Sequence, residues 1–315
     1  MRRIIIDTDP GQDDAIAILL ALGSPELEVL GLTAVAGNVG LANTEANTRR
    51  VCELAGRQDM LVFAGCARPL MGEVVDASQV HGKTGLDGCG LPAPTMPLQA
   101  QHAVEWLIHT LREAPPRSIT LCTLGPFTNI ATALVQDPSI AAAIEEIVAM
   151  GGAIHRGGNI TPTAEFNVYA DPHAADIVFK SGVPITLMPL DVTHKALVTE
   201  ERLRRFHELP APLGEACHGM LSFYFRPNEA RFGEAGSPLH DPCVIAYLIA
   251  PEIFSGKTIS VAIETNSPLT MGMTVGDWWG ASERAHNATV MNDIDAGTFF
   301  DMILNRLSTL RSEAT

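Results

Sequence analysis

The sequence predicts an α/β fold, a single domain with a mostly parallel, open twisted sheet flanked by helices on both faces. Short aliphatic and β-branched runs alternate with longer segments of helical periodicity along most of the chain, and this alternation is typical of parallel sheets. Of the 315 residues, 46% are hydrophobic and 18% are charged, so the chain can bury a substantial core. No linker or repeat divides it, and we expect residues 1–315 to form one domain.

The elements can be assigned in order from hydrophobic periodicity and from their start and stop signals. The strands are predicted at residues 4–6, 29–35, 61–63, 119–124, 144–150 and 185–190. The helices are predicted at residues 14–22, 41–55, 100–112, 128–136, 173–181 and 243–250. Residues 65–99 and 226–240 are predicted to be long loops, and such loops often act as lids over a functional site.

Composition excludes several classes of partner. The chain carries 21 Lys and Arg against 36 Asp and Glu, a net charge of −15, which disfavours nucleic acid and anionic membranes. Its six cysteines form no Cys-x-x-Cys pair, so we expect free thiols in a reducing compartment. No secretory signal is recognised, and the longest apolar stretch, residues 15–22, is far shorter than the roughly 18 residues that span a bilayer. We therefore expect a cytoplasmic protein with a small-molecule ligand.

Four carboxylates cluster where the first predicted strand ends. Asp7, Asp9, Asp13 and Asp14 lie within eight residues, and such groups repel one another when they leave water together. Asp13 and Asp14 would also be favourable at a helix N-terminus, but capping does not explain two further aspartates after an apolar strand. A bound cation does, because it turns repulsion into coordination. The oxygen ligands favour Ca²⁺ or Mg²⁺ over zinc.

A second motif, His240-Asp241-Pro242, precedes the last predicted helix. Asp241 either completes the ligand shell of the cation or only caps that helix ahead of a proline. In the first case His240 is placed to act as a proton donor.

A third motif combines two amides with carboxylates. Asn159, Glu165, Asn167 and Asp171 lie within a short segment and form a set suited to hydrogen-bonding the hydroxyl groups of a sugar. On the residues alone, a polar turn explains them equally well.

With these motifs in place, the chain resembles the inosine–uridine-preferring nucleoside hydrolase family over nearly its whole length. The resemblance is carried by motifs that occur in the family's order: Ile6-Asp7-Thr8-Asp9-Pro10-Gly11-Gln12-Asp13-Asp14-Ala15, Val35-Ala36-Gly37-Asn38, His81-Gly82, Leu124-Gly125-Pro126-Phe127-Thr128-Asn129-Ile130-Ala131, Met150-Gly151-Gly152, Ala164-Glu165-Phe166-Asn167 and His240-Asp241-Pro242.

The resemblance implies Ca²⁺-dependent hydrolysis of the N-glycosidic bond of ribonucleosides to free base and ribose. It assigns Ca²⁺ to Asp9, Asp14, Asp241 and the main-chain carbonyl of Leu124. In the mechanism that the resemblance implies, the ion would lower the pKa of a water molecule. Asp9 would take the proton of that water as general base, and His240 would protonate or hydrogen-bond the departing base. The residues that the resemblance implies in substrate binding are Asp13, Asn38, His81, Asn159, Glu165, Asn167 and Asp241.

The family resemblance further implies a homodimer or homotetramer that serves nucleoside salvage, with purine or pyrimidine preference left open. Two other hypotheses compete with nucleoside hydrolysis. A Mg²⁺-dependent phosphatase of haloacid-dehalogenase type also begins with strand-Asp-x-Asp, and Asp293 with Asp295 would supply its later acidic pair. A non-catalytic nucleoside- or ribose-binding protein would need the hydroxyl-binding residues without the metal and base.

Overall fold

The computed structural model describes residues 1–232 and 236–310, with no side-chain description at 226–232. Its strands in chain order are β1 (Arg2–Thr8), β2 (Leu27–Ala34), β3 (Val62–Ala64), β4 (Ile119–Thr123), β5 (Ile144–Met150), β6 (Ile185–Met188), β7 (Leu197–Val198), β8 (Ser237–Pro238), β9 (Phe254–Ile259), β10 (Val261–Ile263), β11 (Thr274–Gly276) and β12 (Ala288–Ile294).

The helices are α1 (Gln12–Leu22), α2 (Leu41–Leu54), α3 (Ser78–His81), α4 (Ala103–Glu113), α5 (Thr128–Gln136), α6 (Phe166–Ala170), α7 (Pro172–Phe179), α8 (Leu190–Thr193), α9 (Glu200–His207), α10 (Leu213–Phe232), α11 (Pro242–Ile249) and α12 (Ala296–Ser308). Short 3₁₀ turns lie at Pro138–Ala143 and Pro251–Ile253. None of the helices within the described ranges is long and apolar enough to cross a membrane.

Eight strands form the main sheet, in the order β3-β2-β1-β4-β5-β6-β12-β9. Neighbouring strands are parallel except for the last pair, in which β9 runs antiparallel to β12. The predicted α/β class with a mostly parallel sheet is therefore confirmed. Two small antiparallel pairs, β10–β11 and β7–β8, lie outside the main sheet.

The core is divided between the two faces of this sheet. In β1, Ile4 and Ile6 pack into one hydrophobic cluster and Ile5 into another, because successive side chains of a strand point to opposite faces. The first cluster contains the apolar residues of α1 and α11, and the second contains those of α4 and α5. Helices on both faces explain why Ile4, Ile5 and Ile6 of β1 are all apolar.

One predicted loop is partly wrong. Residues 226–240 do not begin as a loop, because α10 continues to Phe232; residues 233–235 lie outside the described part of the chain. Pro227 lacks a backbone N–H and usually ends a helix, yet the backbone stays helical through it. The other predicted loop, residues 65–99, is mostly irregular and contains only the short helix α3.

The sheet order also locates the crevice that open α/β folds use for ligands. From β1 the chain proceeds to β2 and β3 on one side, and β4, β5 and β6 lie on the other. Ligands bind outside the carboxyl ends of the strands at such a switch point. Asp9 follows β1 and Leu124 follows β4, so the two residues flank it.

Candidate active site

The aspartate-rich turn between β1 and α1 is organised around the carboxylate of Asp14. One of its oxygens accepts hydrogen bonds from the Thr8 hydroxyl (2.6 Å) and the Asp9 amide (3.3 Å). The other accepts from the Gly11 amide (2.9 Å) and the Asn38 side chain (3.2 Å). Asp14 thus caps α1, as the simpler interpretation expects, and its carboxylate is held rigidly by donors from two strand ends.

Asp9 lies fully buried between two glycines. Its Oδ2 accepts a hydrogen bond from the main-chain N–H of Asn38 (2.7 Å), whereas its Oδ1 has no hydrogen-bond partner. A Cβ at Gly37 would lie 2.1 Å from Oδ2, and one at Gly125 would lie 2.3 Å from Oδ1. The Gly37 and Gly125 motifs therefore form a cradle that only glycine leaves open for this carboxylate.

The side chain of Asp241 does not take the capping role that one interpretation of its motif predicts. The residue occupies the N-cap position of α11, but its side chain makes no capping hydrogen bond. Its carboxyl group instead lies close enough to those of Asp13, Asp14 and Asp9 to raise its own pKa. One ligand atom each of Asp13, Asp14 and Asp241 lies within 4.8 Å of the others. The carboxylate of Asp241 is thus directed into an acidic cluster and not at its own helix.

The electrostatics of this cluster are unfavourable without a counter-charge. Burial, assisted by the charge of Asp14, raises the pKa of Asp13 to about 7. Burial and the neighbouring aspartates raise the pKa of Asp9 and of Asp241 well above the usual range. Asp13 Oδ1, like Asp9 Oδ1, is buried without a hydrogen-bond partner. Unsatisfied buried carboxylate oxygens and an all-oxygen donor set fit a hard divalent cation.

A pocket that is partly open to solvent lies against this cluster. Asp9 and Asp14 are fully buried and do not line it. The predicted site residues that line it are Asp13, Asn38, His81, Leu124, Asn159, Glu165, Asn167, His240 and Asp241.

The third motif contributes to the pocket through a short helix. Glu165 is the N-cap of α6 and accepts hydrogen bonds from the amides of Asn167 and Gly152, and burial raises its pKa to about 7. Asn159 accepts from the Phe166 amide (2.8 Å). The Asn167 side chain donates to the carbonyl of Leu124 (2.6 Å). These groups are fixed by the backbone, and this rigidity suits a binding wall.

Asp171 does not reach the pocket lining. Its carboxylate caps α7 and accepts from the hydroxyl of Thr128 and the amide of Leu70. Of the residues in this motif, Asn159, Glu165 and Asn167 are brought together at the pocket, and Asp171 has a structural role.

Two histidines of the pocket are held by side chains that sequence reasoning missed. His240 Nδ1 lies 2.7 Å from the Thr193 hydroxyl, and burial with nearby histidines lowers the pKa of His240 well below its usual value. His81 Nδ1 lies 2.7 Å from Gln12 Oε1, and burial lowers the pKa of His81 to about 4. Burial therefore favours the neutral form of both rings.

His194 and Tyr224 also line the pocket and were not predicted. The His194 ring lies 5.6 Å from that of His240, and the Tyr224 ring stacks on that of His81. His194 follows the short helix α8, six residues beyond the end of β6. The rule that polar residues after parallel strands gather at one edge of the sheet therefore gave only an indirect signal for it. No comparable signal pointed to Tyr224, which lies within a long helix.

A family model described as inosine-uridine preferring nucleoside hydrolase matches residues 4–301, nearly the whole chain. This chain belongs to that family. The predicted family and the predicted enzyme class, hydrolysis of ribonucleosides, are thereby confirmed.

Relatives of this nucleoside hydrolase include the pyrimidine-specific ribonucleoside hydrolase RihA of Shewanella sp. strain MR-7. It is 46% identical over 308 residues, which cover 98% of this chain and 96% of the relative. A purine-preferring ribonucleoside hydrolase from Gardnerella vaginalis superposes with a TM-score of 0.92 at 30% identity, covering 99% of this chain and all of that one. The plant nucleoside hydrolase PpNRh1 gives 0.91 at 31% identity, covering 98% of this chain and 99% of that one.

The phosphatase alternative is not favoured for this nucleoside hydrolase. Asp293 is exposed and pairs with Lys195 (2.9 Å), and Asp295 caps α12. Neither residue lines the pocket beside the acidic cluster, so the later acidic pair that a haloacid-dehalogenase-like site requires is absent from the described site residues.

Proposed function

We propose that this nucleoside hydrolase is a Ca²⁺-dependent enzyme in which Asp9 activates the attacking water. The observation that carries the proposal is the cluster of Asp13, Asp14 and Asp241 beside the unpartnered oxygen of Asp9, at the edge of a pocket that hydrogen-bonding residues line. Asp9, Asp14, Asp241 and the Leu124 carbonyl are the proposed ligands. When bound, the ion neutralises these carboxylates and makes a water molecule more acidic.

Asp9 acts as the general base in this proposal. It removes a proton from water as the water oxygen bonds to the anomeric carbon and the C1′–N bond breaks, with the electron pair leaving on the base. The cradle of Gly37 and Gly125 supports this role, because it holds the carboxylate in one orientation. The transition state resembles an oxocarbenium ion, as in glycoside hydrolysis. Contacts from Asp13, Asn38, Asn159, Glu165, Asn167 and Asp241 to the ribose hydroxyls would favour the flattened ring.

His240 is the proposed partner of the departing base. Its ring is buried, lines the pocket and is oriented by the Thr193 hydroxyl. Because the neutral ring is favoured, hydrogen bonding to the base contributes more than donation from an imidazolium. His81 lies over the same pocket and completes the substrate contacts.

We further propose pyrimidine ribonucleosides as the preferred substrates. The support is the 46% identity to a hydrolase described as pyrimidine-specific, against 30% to one described as purine-preferring. Incubation with uridine, cytidine, inosine, adenosine and p-nitrophenyl phosphate, with detection of reducing sugar and inorganic phosphate, tests the proposal. Ribose release from uridine or cytidine is expected. Phosphate release, or binding without turnover, would exclude ribonucleoside hydrolysis as the activity.

A cytoplasmic homodimer or homotetramer remains part of the proposal. All six cysteines are free thiols, and four of them are buried, which suits a reducing compartment. Light scattering of the purified protein measures its oligomeric state.

Removal of divalent cations is expected to abolish turnover and to lower the melting temperature, because the buried carboxylates of the cluster then repel one another. Ligand binding to the folded state stabilises it by about 2.7 kcal/mol at a free Ca²⁺ concentration of about 100 times Kd. In a protein of this size this corresponds to a Tm increase of roughly 5 °C. Thermal scans of chelated protein, titrated with Ca²⁺ and separately with Mg²⁺, measure the shift. An Asp14→Asn variant should lose most of it, and unchanged activity in metal-free protein would exclude the metal.

His240→Ala is expected to slow uridine and inosine cleavage by about 10²-fold or more, the usual range for a lost acid or base. It should spare p-nitrophenyl riboside, whose leaving group needs no proton. His109→Ala, at an exposed position of α4, is the control and should leave all rates unchanged. Equal losses on the nucleosides and on p-nitrophenyl riboside would remove His240 from the leaving-group side.

A further inference from the structure

Gln12 links the aspartate-rich turn to α3 through its side-chain amide. Its Nε2 donates to the main-chain carbonyl oxygens of His81 (3.1 Å) and Asp87 (3.3 Å). Carbonyl oxygens only accept hydrogen bonds, so the side-chain nitrogen of Gln12 must face them. This settles the assignment of Oε1 and Nε2 in the side-chain amide. The remaining atom, Oε1, therefore faces His81 Nδ1 at 2.7 Å.

This contact determines the tautomer of His81. An amide oxygen has no proton to give, so Nδ1 of His81 must carry the proton that lies between the two atoms. In a neutral imidazole the other nitrogen, Nε2, is then a hydrogen-bond acceptor. The ring is neutral at physiological pH because burial lowers its pKa to about 4.

The ring of His81 has little freedom to turn away from Gln12. It lies against Gly11, where an added Cβ would be only 2.3 Å from Nδ1. On another side it stacks on Tyr224, with ring centroids 5.4 Å apart and planes inclined by 25°. His81 is buried yet lines the pocket, so its orientation bears on what the pocket binds.

We propose that Gln12 is a positioning residue that presents His81 Nε2 to the substrate as a hydrogen-bond acceptor. The inference rests on the proposed function, and it adds a requirement: the bound nucleoside must offer His81 a neutral hydrogen-bond donor. We assign this donor to the 5′-hydroxyl of the ribose or to an N–H group of the base, because the proposed function gives the 2′- and 3′-hydroxyls to the acidic cluster. A substrate without that donor leaves a buried acceptor unpaired and is disfavoured.

The tautomer can be measured without any turnover. In protein labelled with ¹⁵N-histidine, long-range ¹H–¹⁵N spectra distinguish a ring protonated at Nδ1 from one protonated at Nε2, and the His81→Phe variant identifies the signal. We expect protonation at Nδ1 in the unmodified protein and in Gln12→Glu, whose carboxylate also accepts. Gln12→Leu, of similar size, should shift the proton toward Nε2. A proton on Nε2 in the unmodified protein would overturn the proposal.

Kinetics then identify the donor. Gln12→Leu should lower kcat/KM for uridine by about tenfold, the value of one hydrogen bond. The same comparison is made with 5′-deoxyuridine, which lacks the 5′-hydroxyl, and with 3-methyluridine, which lacks the base N–H. If the 5′-hydroxyl is the donor, the loss vanishes with 5′-deoxyuridine and persists with 3-methyluridine; if the base N–H is the donor, the pattern reverses. Equal losses on all three substrates, or none on uridine, would contradict the contact. Should no substrate be cleaved by the unmodified protein, the proposed function fails while the tautomer result stands.

Discussion

Replacing Asp9 with alanine is expected to reduce ribonucleoside turnover by several orders of magnitude while the protein remains folded. General-base catalysis contributes about 10²–10⁴-fold, and a larger loss would show that Asp9 also holds the cation. The fold should persist because Asp9 is buried with an unpartnered Oδ1 among other carboxylates, so its removal relieves repulsion. The smaller alanine side chain also leaves more space beside Gly37 and Gly125 and creates no clash.

Single-turnover and steady-state rates with Ca²⁺ measure the effect, and calcium content is determined for each variant. Asp9→Asn keeps the shape and one oxygen ligand but cannot accept the proton, so it separates the base from the ligand role. Asp293→Ala is the control: this exposed carboxylate pairs with Lys195 and should leave turnover unchanged. A loss of less than about tenfold in folded, calcium-loaded Asp9→Ala would exclude Asp9 as the base.

Six of the eight strands of the central sheet, β1 to β6, could be predicted from the sequence because they are short apolar runs between recognisable helices. Strands β9 and β12 at one end of the sheet were not predicted. The bounds of β5 and α5 agree with the prediction to the residue. In a parallel sheet the carboxyl ends of all strands meet at one edge, so polar residues after β1, β2 and β4 were expected to meet. The contacts of Asn38 with Asp9 and Asp14 show this for the ends of β1 and β2.

Contacts between distant segments could not be predicted in the same way. Gln12 and His81 are 69 residues apart, and no periodicity links a residue in the first turn of one helix to a one-turn helix within a mostly irregular segment. The acidic cluster was predicted, but its membership depends on side-chain directions: Asp13 groups with Asp14 and Asp241, while Asp9 lies in its glycine cradle. Helix α10 was not predicted, and its last turns were assigned to the loop at residues 226–240. Pro227 makes this part of the helix hard to recognise, because proline usually ends a helix.

Removal of one ribose hydroxyl from the substrate is expected to produce the largest loss of all, roughly 10⁴–10⁵-fold in kcat/KM for 2′-deoxyuridine relative to uridine. A site built to hydrogen-bond a hydroxyl rejects its absence by that factor, because its buried polar groups are left unpaired. Asp13 supports this magnitude, since its Oδ1 is buried without a partner and its side chain lines the pocket.

The test of this prediction combines substrate analogues with enzyme variants. The value of kcat/KM is measured for uridine and for its 2′-deoxy, 3′-deoxy and 5′-deoxy analogues. Each substrate is measured with the unmodified protein and with the Asp13→Ala, Asn167→Ala and Asp293→Ala variants. If Asp13 receives a particular hydroxyl, discrimination against the analogue that lacks it collapses in Asp13→Ala alone, while discrimination against the others persists. If Asp13→Ala instead lowers kcat/KM for all four substrates by the same factor, the ratios between substrates stay unchanged. Asp13 then has an indirect role through the cation. Asp293→Ala should preserve every ratio, because its carboxylate is exposed and away from the pocket. Equal rates on uridine and 2′-deoxyuridine in the unmodified enzyme would contradict ribose recognition by this wall of the pocket, since an unpaired buried carboxylate oxygen must then be satisfied by something other than the substrate.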